Sequence, residues 1–418
     1  QQWRSVAVAL LCFSAFSLAD EHKLSRFHAW LEQNGVSTAR VSAGNAGDAG
    51  YGLFARHRLE ADDELFTVPL RWVMSRFSAR QNPVLLPILQ QAGSKITEEE
   101  VVILQLLAEH AAAESSEWAP YLDVLPRSAP SPSTFTSKHL QVLRGSYVEP
   151  LVHGDRSQLR RMYSHLLELI DSSPTLRAAA NWDDYVWAAF VVQSRAWTLQ
   201  GKKYLVPLAD MSNFEAGHND QDEFMRLHRV DETKETATLY ADRSFTLGQE
   251  VTESYGDNNN AMYLRFFGFV PDVNPSECVP FNLPTMPQDQ TMAVGRRLHE
   301  ARLSVRDLCV TPNDINPAAL KAMRLASLKQ DEMGSSGDTL ISVRNERAAY
   351  RAIAEACSRR LAAFPKPLET RQHQRESTSD PTEAMLLKFV VKEMETLRAA
   401  EGEMRRRLKN TKLTKTEL

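Results

Sequence analysis

The spacing of apolar residues changes along this chain, and each change predicts a different kind of structure. Leu24, Phe27, Trp30 and Leu31 recur at helical spacing and Gly35 closes the run, so residues 24–34 are a predicted helix. Within residues 50–69 the runs 53–55 and 64–68 read as strands around a turn at Ala61, Asp62 and Asp63. Gly50 and Gly52 flank Tyr51, which lets the backbone turn tightly and approach a ligand closely. The same outline returns as ADRSFTLGQEV at 241–251, and the echo predicts two similar hairpins. From residue 75 to about 184 the texture is helical. Thr97 opens a helix whose acidic first turn, Glu98, Glu99 and Glu100, suits the positive end of the helix dipole. Val101, Val102, Leu104, Leu106 and Leu107 supply most of its apolar surface. Residues 118–122 with Leu125 and Pro126 form a connector, and 137–143, 159–170 and 182–195 are further helices.

In the middle of the chain two short strand-like runs end in polar or turn residues. Residues 205–208 run into Asp210 and Asn213, and 250–254 run into Tyr255 and Gly256. Pro271, Pro275, Pro280, Pro284 and Pro287 then mark a boundary. Beyond it the pattern is nearly all helical: 290–303, 317–329, 341–364 and 380–409, broken by a flexible link at 334–337. Met385, Leu386, Phe389, Val390, Met394 and Leu397 share one face of the last helix, as in a packing or docking domain.

The 418 residues suffice for two or three domains, and 43% hydrophobic with 24% charged residues is ordinary for a soluble globular protein. With 49 basic against 53 acidic residues the net charge is −4, so no global electrostatic case for nucleic acid exists. The basic stretch 405–415 reads as a solvated helix end. At the start, Trp3 and Arg4 precede an apolar run over 6–18, too short to span a bilayer, with small residues Ser17 and Ala19 before Asp20. This predicts a signal peptide over 1–19, with a buried first helix as the alternative, and no membrane span in the mature chain. The closing Lys415-Thr416-Glu417-Leu418 resembles a K-D-E-L retention signal. Together the two ends predict the secretory pathway and the ER lumen, with cytoplasm, nucleus or plastid as alternatives.

Cys278, Cys309 and Cys357 follow the leader, an odd number without CxxC spacing; one bridge is possible in an oxidising lumen. His139, His153 and His165 are scattered and read as structural or surface residues. The acidic stretch 218–223 lacks the spacing of a metal loop, so no metal site is expected.

Five motifs carry the chemistry: GYGLFA at 50–55, SRAW at 194–197, LVPLADMSNF at 205–214, GQEVTESYG at 248–256 and NNAMYLRFFGFV at 259–270. In order and approximate spacing they resemble one branch of the SET-domain methyltransferases. That branch includes the Rubisco large-subunit lysine methyltransferase and the actin-histidine methyltransferase. Residues 345–369 and the EAMLLKFVVKEMETL helix after them look like its substrate-binding domain, and the resemblance covers about 24–409. It implies an α+β fold. A β-rich SET domain with a pseudoknot spans 20–270, interrupted by a helical insert at about 75–190, and an all-helical substrate-binding domain spans 271–418. It also implies S-adenosylmethionine as cofactor, a lysine side chain of a protein docked on the helical domain as acceptor, and a monomer. A histidine acceptor, or a SET-like module that binds peptide without turnover, stays open.

Such transfer is an in-line displacement at a sulfonium methyl, which demands tight placement of the reacting atoms and a lysine attacking in its neutral form. Oxygen-rich, aromatic-walled channels suit it. By resemblance, Ala49, Gly50 and Tyr51 offer backbone contacts to the cofactor, Arg195 lies near its carboxylate, and Asp210 shapes the pocket. Asn213 and Phe214 would bind through the backbone at the pseudoknot, and Tyr255 would be the aligning phenol of the transfer channel. Phe267 and Phe269 would line the lysine channel. Two departures bear on this. Phe214 stands where the family usually has His, which puts cofactor affinity in question. Phe267 stands where Tyr is common; the missing hydroxyl implies that more than one methyl is added.

Overall fold

The computed structural model describes residues 18–411 except 128–129, 218–220, 284–287, 305–307 and 313–314. The leader up to Ser17, the retention-like tail, His218 to Asp220 of the acidic loop, and Pro284 and Pro287 therefore lie outside the described residues. The chain divides into two compact units, Gln1–Ala129 with Gln158–Asp257, and Pro130–Ser157 with Asn258–Leu418. These breaks differ from the composition boundary at residue 270. Phe135, Val142, Leu143, Val148 and Val152, which lie within the expected insert, are buried in the second unit's core.

In the first unit the strands are short. β1 (Val41–Asn45), β2 (Tyr51–Ala55) and β3 (Glu64–Pro69) are followed by β4 (Trp197–Leu199), β5 (Lys202–Tyr204), β6 (His228–Asp231), β7 (Thr236–Tyr240) and β8 (Glu250–Val251). They form antiparallel sheets in the orders β1-β2-β8, β3-β7-β6 and β4-β5. The two echoing segments do not close as separate hairpins. They pair with each other: the Ala55 amide donates to the Gln249 carbonyl (2.9 Å), Leu59 and Phe245 exchange both backbone bonds, and Asp62 donates to Ala241 (2.9 Å). Each segment's backbone groups are satisfied by the distant copy, a pairing that local pattern cannot report.

Three of the first unit's helices position the site described below. Leu18–Gln33 buries Leu24, Phe27, Trp30 and Leu31, the face read from sequence. Glu98–Ala112 is capped by Thr97 and Glu100 in a reciprocal capping box and is buried continuously from Glu100 to Leu107. The buried Glu100 carboxylate is satisfied by Thr97 and by His165 Nδ1 at 2.7 Å. Trp182–Arg195 starts at an Asn181 cap and ends at the site described below.

The second unit contains the helices Ser137–Val142, Gln288–Glu300, Pro317–Ala326, Val343–Ala362, Leu368–Ser377 and Pro381–Asn410. Helix Leu368–Ser377 was not predicted, because LETRQHQRES has a single apolar residue and hence no period. The C-terminal region is also not wholly helical. β9 (Val279–Pro280) pairs antiparallel with β10 (Cys309–Val310), and a Cys278–Cys309 disulfide joins them, Cα to Cα 5.3 Å. His139 bonds Asp380 (2.9 Å), a structural role, while His153 is exposed. Among the described residues no helix is long and apolar enough to cross a membrane.

Candidate functional site

The first unit encloses a cavity of about 330 Å³. One wall is the β1–β2 turn, where Gly50 takes φ 83°, and the Ala46 amide donates to the Gly50 carbonyl at 2.8 Å. Asn45, Gly47, Ala49, Gly50 and Tyr51 all face this space. Gly52 is needed for a different reason. A Cβ there would sit 2.5 Å from Glu250 Oε1 and 3.0 Å from Asn213 Nδ2. Asn213 Nδ2 donates to the Tyr51 carbonyl (3.1 Å) and to Glu250 Oε1 (2.8 Å). Its side chain therefore braces β2 against β8, a role beyond the backbone contact that the motif implies.

Arg195, the last residue of its helix, supplies the opposite wall. Its Nη1 donates to the Asp210 carbonyl at 2.6 Å and lies 3.5 Å from Asp210 Oδ2. The Asp210 side chain is fully buried; burial pushes its pKa up to about 6, against the pull of Arg195. Asp210 does not line the cavity. It acts behind Arg195, fixing the guanidinium. The Tyr121 hydroxyl is buried in the same cluster, and burial and then the Asp210 charge raise its pKa well above the usual phenol range.

Among the lining residues that sequence reasoning missed, four are charged: Asp20 and Lys23 on the first helix, and Asp123 and Arg127 on the connector. No motif marks them. The Tyr51 hydroxyl donates to Asp20 Oδ1 (3.1 Å), and burial with that bond pushes its pKa up to about 12. The connector is held by aromatic residues, which the sequence does show as a Trp and Tyr cluster without saying what it packs on. Trp30 Nε1 donates to the Glu117 carbonyl (2.7 Å) and Trp187 Nε1 to the Pro126 carbonyl (2.8 Å). Trp72 stands edge-on between Trp30 and Trp118, with ring centroids 5.3 and 5.4 Å away.

Where a pseudoknot is expected, two distant segments run parallel. Phe214 bridges Glu253; the Glu253 amide donates to the Asn213 carbonyl and the Glu215 amide to the Glu253 carbonyl, both at 2.9 Å. Tyr255 follows, its hydroxyl donating to the Ser212 carbonyl (2.8 Å) and its ring edge-on to Phe214 at 5.6 Å. Phe214 thus contributes its ring as well as its backbone. Glu253 is anchored below by His228 Nε2 at 2.8 Å, and His228 is itself buried against Trp197 and Phe224. Phe267 and Phe269 belong to the second unit, where both rings pack on Tyr263, 5.7 and 5.3 Å away. Gly268, in the left-handed region at φ 76°, makes the turn between them. Among the described residues no cluster of His, Cys, Asp and Glu could hold a metal ion.

The cavity's donor set is of mixed sign: Arg195, Lys23 and Arg127 against Asp20 and Asp123, beside a turn of exposed backbone. Such a set fits a small zwitterion bearing both a carboxylate and a cationic centre, and the volume falls within the usual range for small-molecule sites. Parallel crossing, glycine-turned wall and terminal arginine together define a SET-type fold. Solved structures agree. The SET domain of LSMT bound to lysine and AdoHcy matches with a TM-score of 0.73 over 93% of this chain and 92% of that one, at 21% identity. Rubisco LSMT bound to AdoMet matches at 0.71 over 93% of each chain, also at 21% identity. Residues 287–397 match the family model for Rubisco LSMT substrate-binding. The actin-histidine N-methyltransferase of Gallus gallus is 27% identical over 286 residues, 63% of this chain and 45% of that protein. The chain thus spans about half the length of that curated relative. In fold the chain is similar to the Rubisco large-subunit methyltransferase structures, and in sequence it is similar to the actin-histidine methyltransferases.

Proposed function

We propose that this chain is an S-adenosylmethionine-dependent protein methyltransferase whose acceptor is a lysine side chain of a protein docked on its helical unit. The observation that carries the reading is the cavity between the 45–51 turn and Arg195, in the unit where the parallel Phe214–Glu253 crossing also fixes Tyr255. Backbone groups of Ala49, Gly50 and Tyr51 would hold the cofactor, and Arg195, oriented by Asp210, would take its carboxylate. When bound, S-adenosylmethionine supplies an electrophilic methyl group. Tyr255, its hydroxyl directed by the Ser212 carbonyl, would align the acceptor, and fixed dipoles of this kind need no reorganisation during reaction. The aromatic faces of Phe267 and Phe269 suit a methylated ammonium.

A histidine acceptor is the second reading, favoured by the names of the curated relatives, which are actin-histidine N-methyltransferases. Tandem mass spectrometry of proteins methylated by the purified chain tests both. A lysine mark supports the first reading, and a histidine mark replaces it with the second. Cofactor binding without any transfer would identify a peptide-binding module. Intact-mass analysis at saturation should show more than one methyl, because Phe267 leaves no hydroxyl at its position; a single methyl contradicts this.

A further inference from the structure

The second unit holds a cleft of about 680 Å³, walled by helices Gln288–Glu300 and Pro317–Ala326 and by the turn through Gly334, Ser335 and Ser336. Its wall is part apolar, with Leu325, Leu328 and a Met333 that is 53% exposed. Four cations line it: Arg296, Arg297, Arg302 and Lys321, against one acidic side chain, Glu300. Two of the four are already engaged. Lys321 pairs with Asp338 at 2.7 Å, and Arg297 donates to the Leu325 carbonyl (3.3 Å) and faces Met333 Sδ (3.2 Å). Arg296 and Arg302 are exposed and form no ion pair among the described residues.

Arg302 also occupies an unfavourable backbone position. The helix ends with the Arg302 amide bonded to the His299 carbonyl and the Leu303 amide to the Leu298 carbonyl, a helix-end motif that normally places glycine at the left-handed residue. Here that residue is arginine at φ 56°. A side chain there costs about 1 kcal/mol relative to glycine, and such strain points from an observed outlier toward a function for the side chain.

We infer that this cleft docks an acidic, extended segment of the protein substrate, its carboxylates on Arg296 and Arg302 and an apolar residue against Leu325, Leu328 and Met333. The inference rests on the methyltransferase reading and deepens it, because the cleft lies wholly within the 287–397 match to a substrate-binding domain. A protein ligand is favoured over nucleic acid by the apolar part of the wall and by the chain's net charge of −4.

Fluorescence anisotropy on the full chain tests it, using a fluorescein-labelled peptide of alternating Glu and Leu and a same-length Lys and Leu control. The acidic peptide should bind, weaken as salt rises, and lose at least tenfold in affinity in the double variant Arg296→Glu, Arg302→Glu. Arg302→Gly separates docking from structure. It should lower peptide affinity while leaving the melting temperature at or above that of the wild type. Equal binding of the two peptides, unchanged binding by the double variant, or tighter binding of a labelled RNA oligonucleotide would each overturn the inference. Calorimetry with S-adenosylmethionine on the same samples reads the methyltransferase assignment separately, since neither substitution lies in the first unit.

Discussion

The cavity of the first unit and the cleft of the second are built in opposite ways. The cavity gathers residues 20–23, 45–51, 123–127, 195 and 211, stretches that no local pattern connects. The cleft is walled by residues 293–336, neighbours along the chain on two helices and a turn. Two buried carboxylates, one in each unit, show a second difference. Asp210 faces one fixed cation, Arg195, and so holds a cavity wall in place. Glu277, 4% exposed, accepts from the Asn260 amide at 2.5 Å, and the pull of Lys392 on it is outweighed by burial and by Glu393. The first arrangement positions a functional group; the second sits in packing. A change in the buried packing of the second unit should therefore move stability, whereas a change at the crossing should move transfer.

The largest effect is expected from Cys278→Ser. Opening a loop of 31 residues should cost about 3–4 kcal/mol of the second unit's stability, read by denaturant unfolding with and without reductant. Cofactor affinity should stay unchanged, and a parallel loss would break the division between the units. Next is Tyr255→Phe, which removes the hydroxyl but keeps the ring against Phe214. Transfer should fall about 100-fold with S-adenosylmethionine affinity retained, in the range for losing one aligned donor. Unchanged transfer would remove Tyr255 from its role.

The smallest effect concerns pH. Burial first, then Glu393, pushes the Glu277 pKa up to about 7, against an ordinary 4.5, while the Asn260 amide opposes the rise. The folded state then binds more protons than the unfolded one between these values. Its contribution to stability is complete below about 4.5 and is lost as pH rises toward 7. Glu277→Gln should therefore gain on the wild type with increasing pH, by about 2–3 kcal/mol at pH 8 relative to pH 4. Asp210 contributes a loss of the same sign up to about pH 6, so the variant keeps part of the wild-type slope.

The same contrast explains what the sequence could show. Some helices with one apolar face were legible to the residue or nearly so, Trp182–Arg195 matching and Pro381–Asn410 differing by one residue at each end, whereas Val148–Leu169 begins eleven residues before the 159–170 read from sequence. The Thr97 cap was legible because its chemistry is local. The echo at 241–251 was visible, yet its partner was misread, because strand pairing over such a distance leaves no mark in either segment. Arg195, Asp210, Asn213 and Tyr255 emerged only through the ordered motifs. Asp20, Lys23, Asp123 and Arg127 did not emerge at all, since the first helix and the connector that carry them meet only in the fold, where Trp30 bonds the Glu117 carbonyl. The Arg302 strain is likewise a property of backbone conformation, invisible until φ is known.

If S-adenosylmethionine is held in the first unit by the 45–51 turn and Arg195, isothermal titration calorimetry will read it. The wild type should show one saturable site. Arg195→Lys, which keeps a cation beside Asp210 but loses the planar fork, should weaken binding about tenfold at an unchanged melting temperature. No detectable heat of binding in the wild type, or equal affinity in the variant, would contradict it.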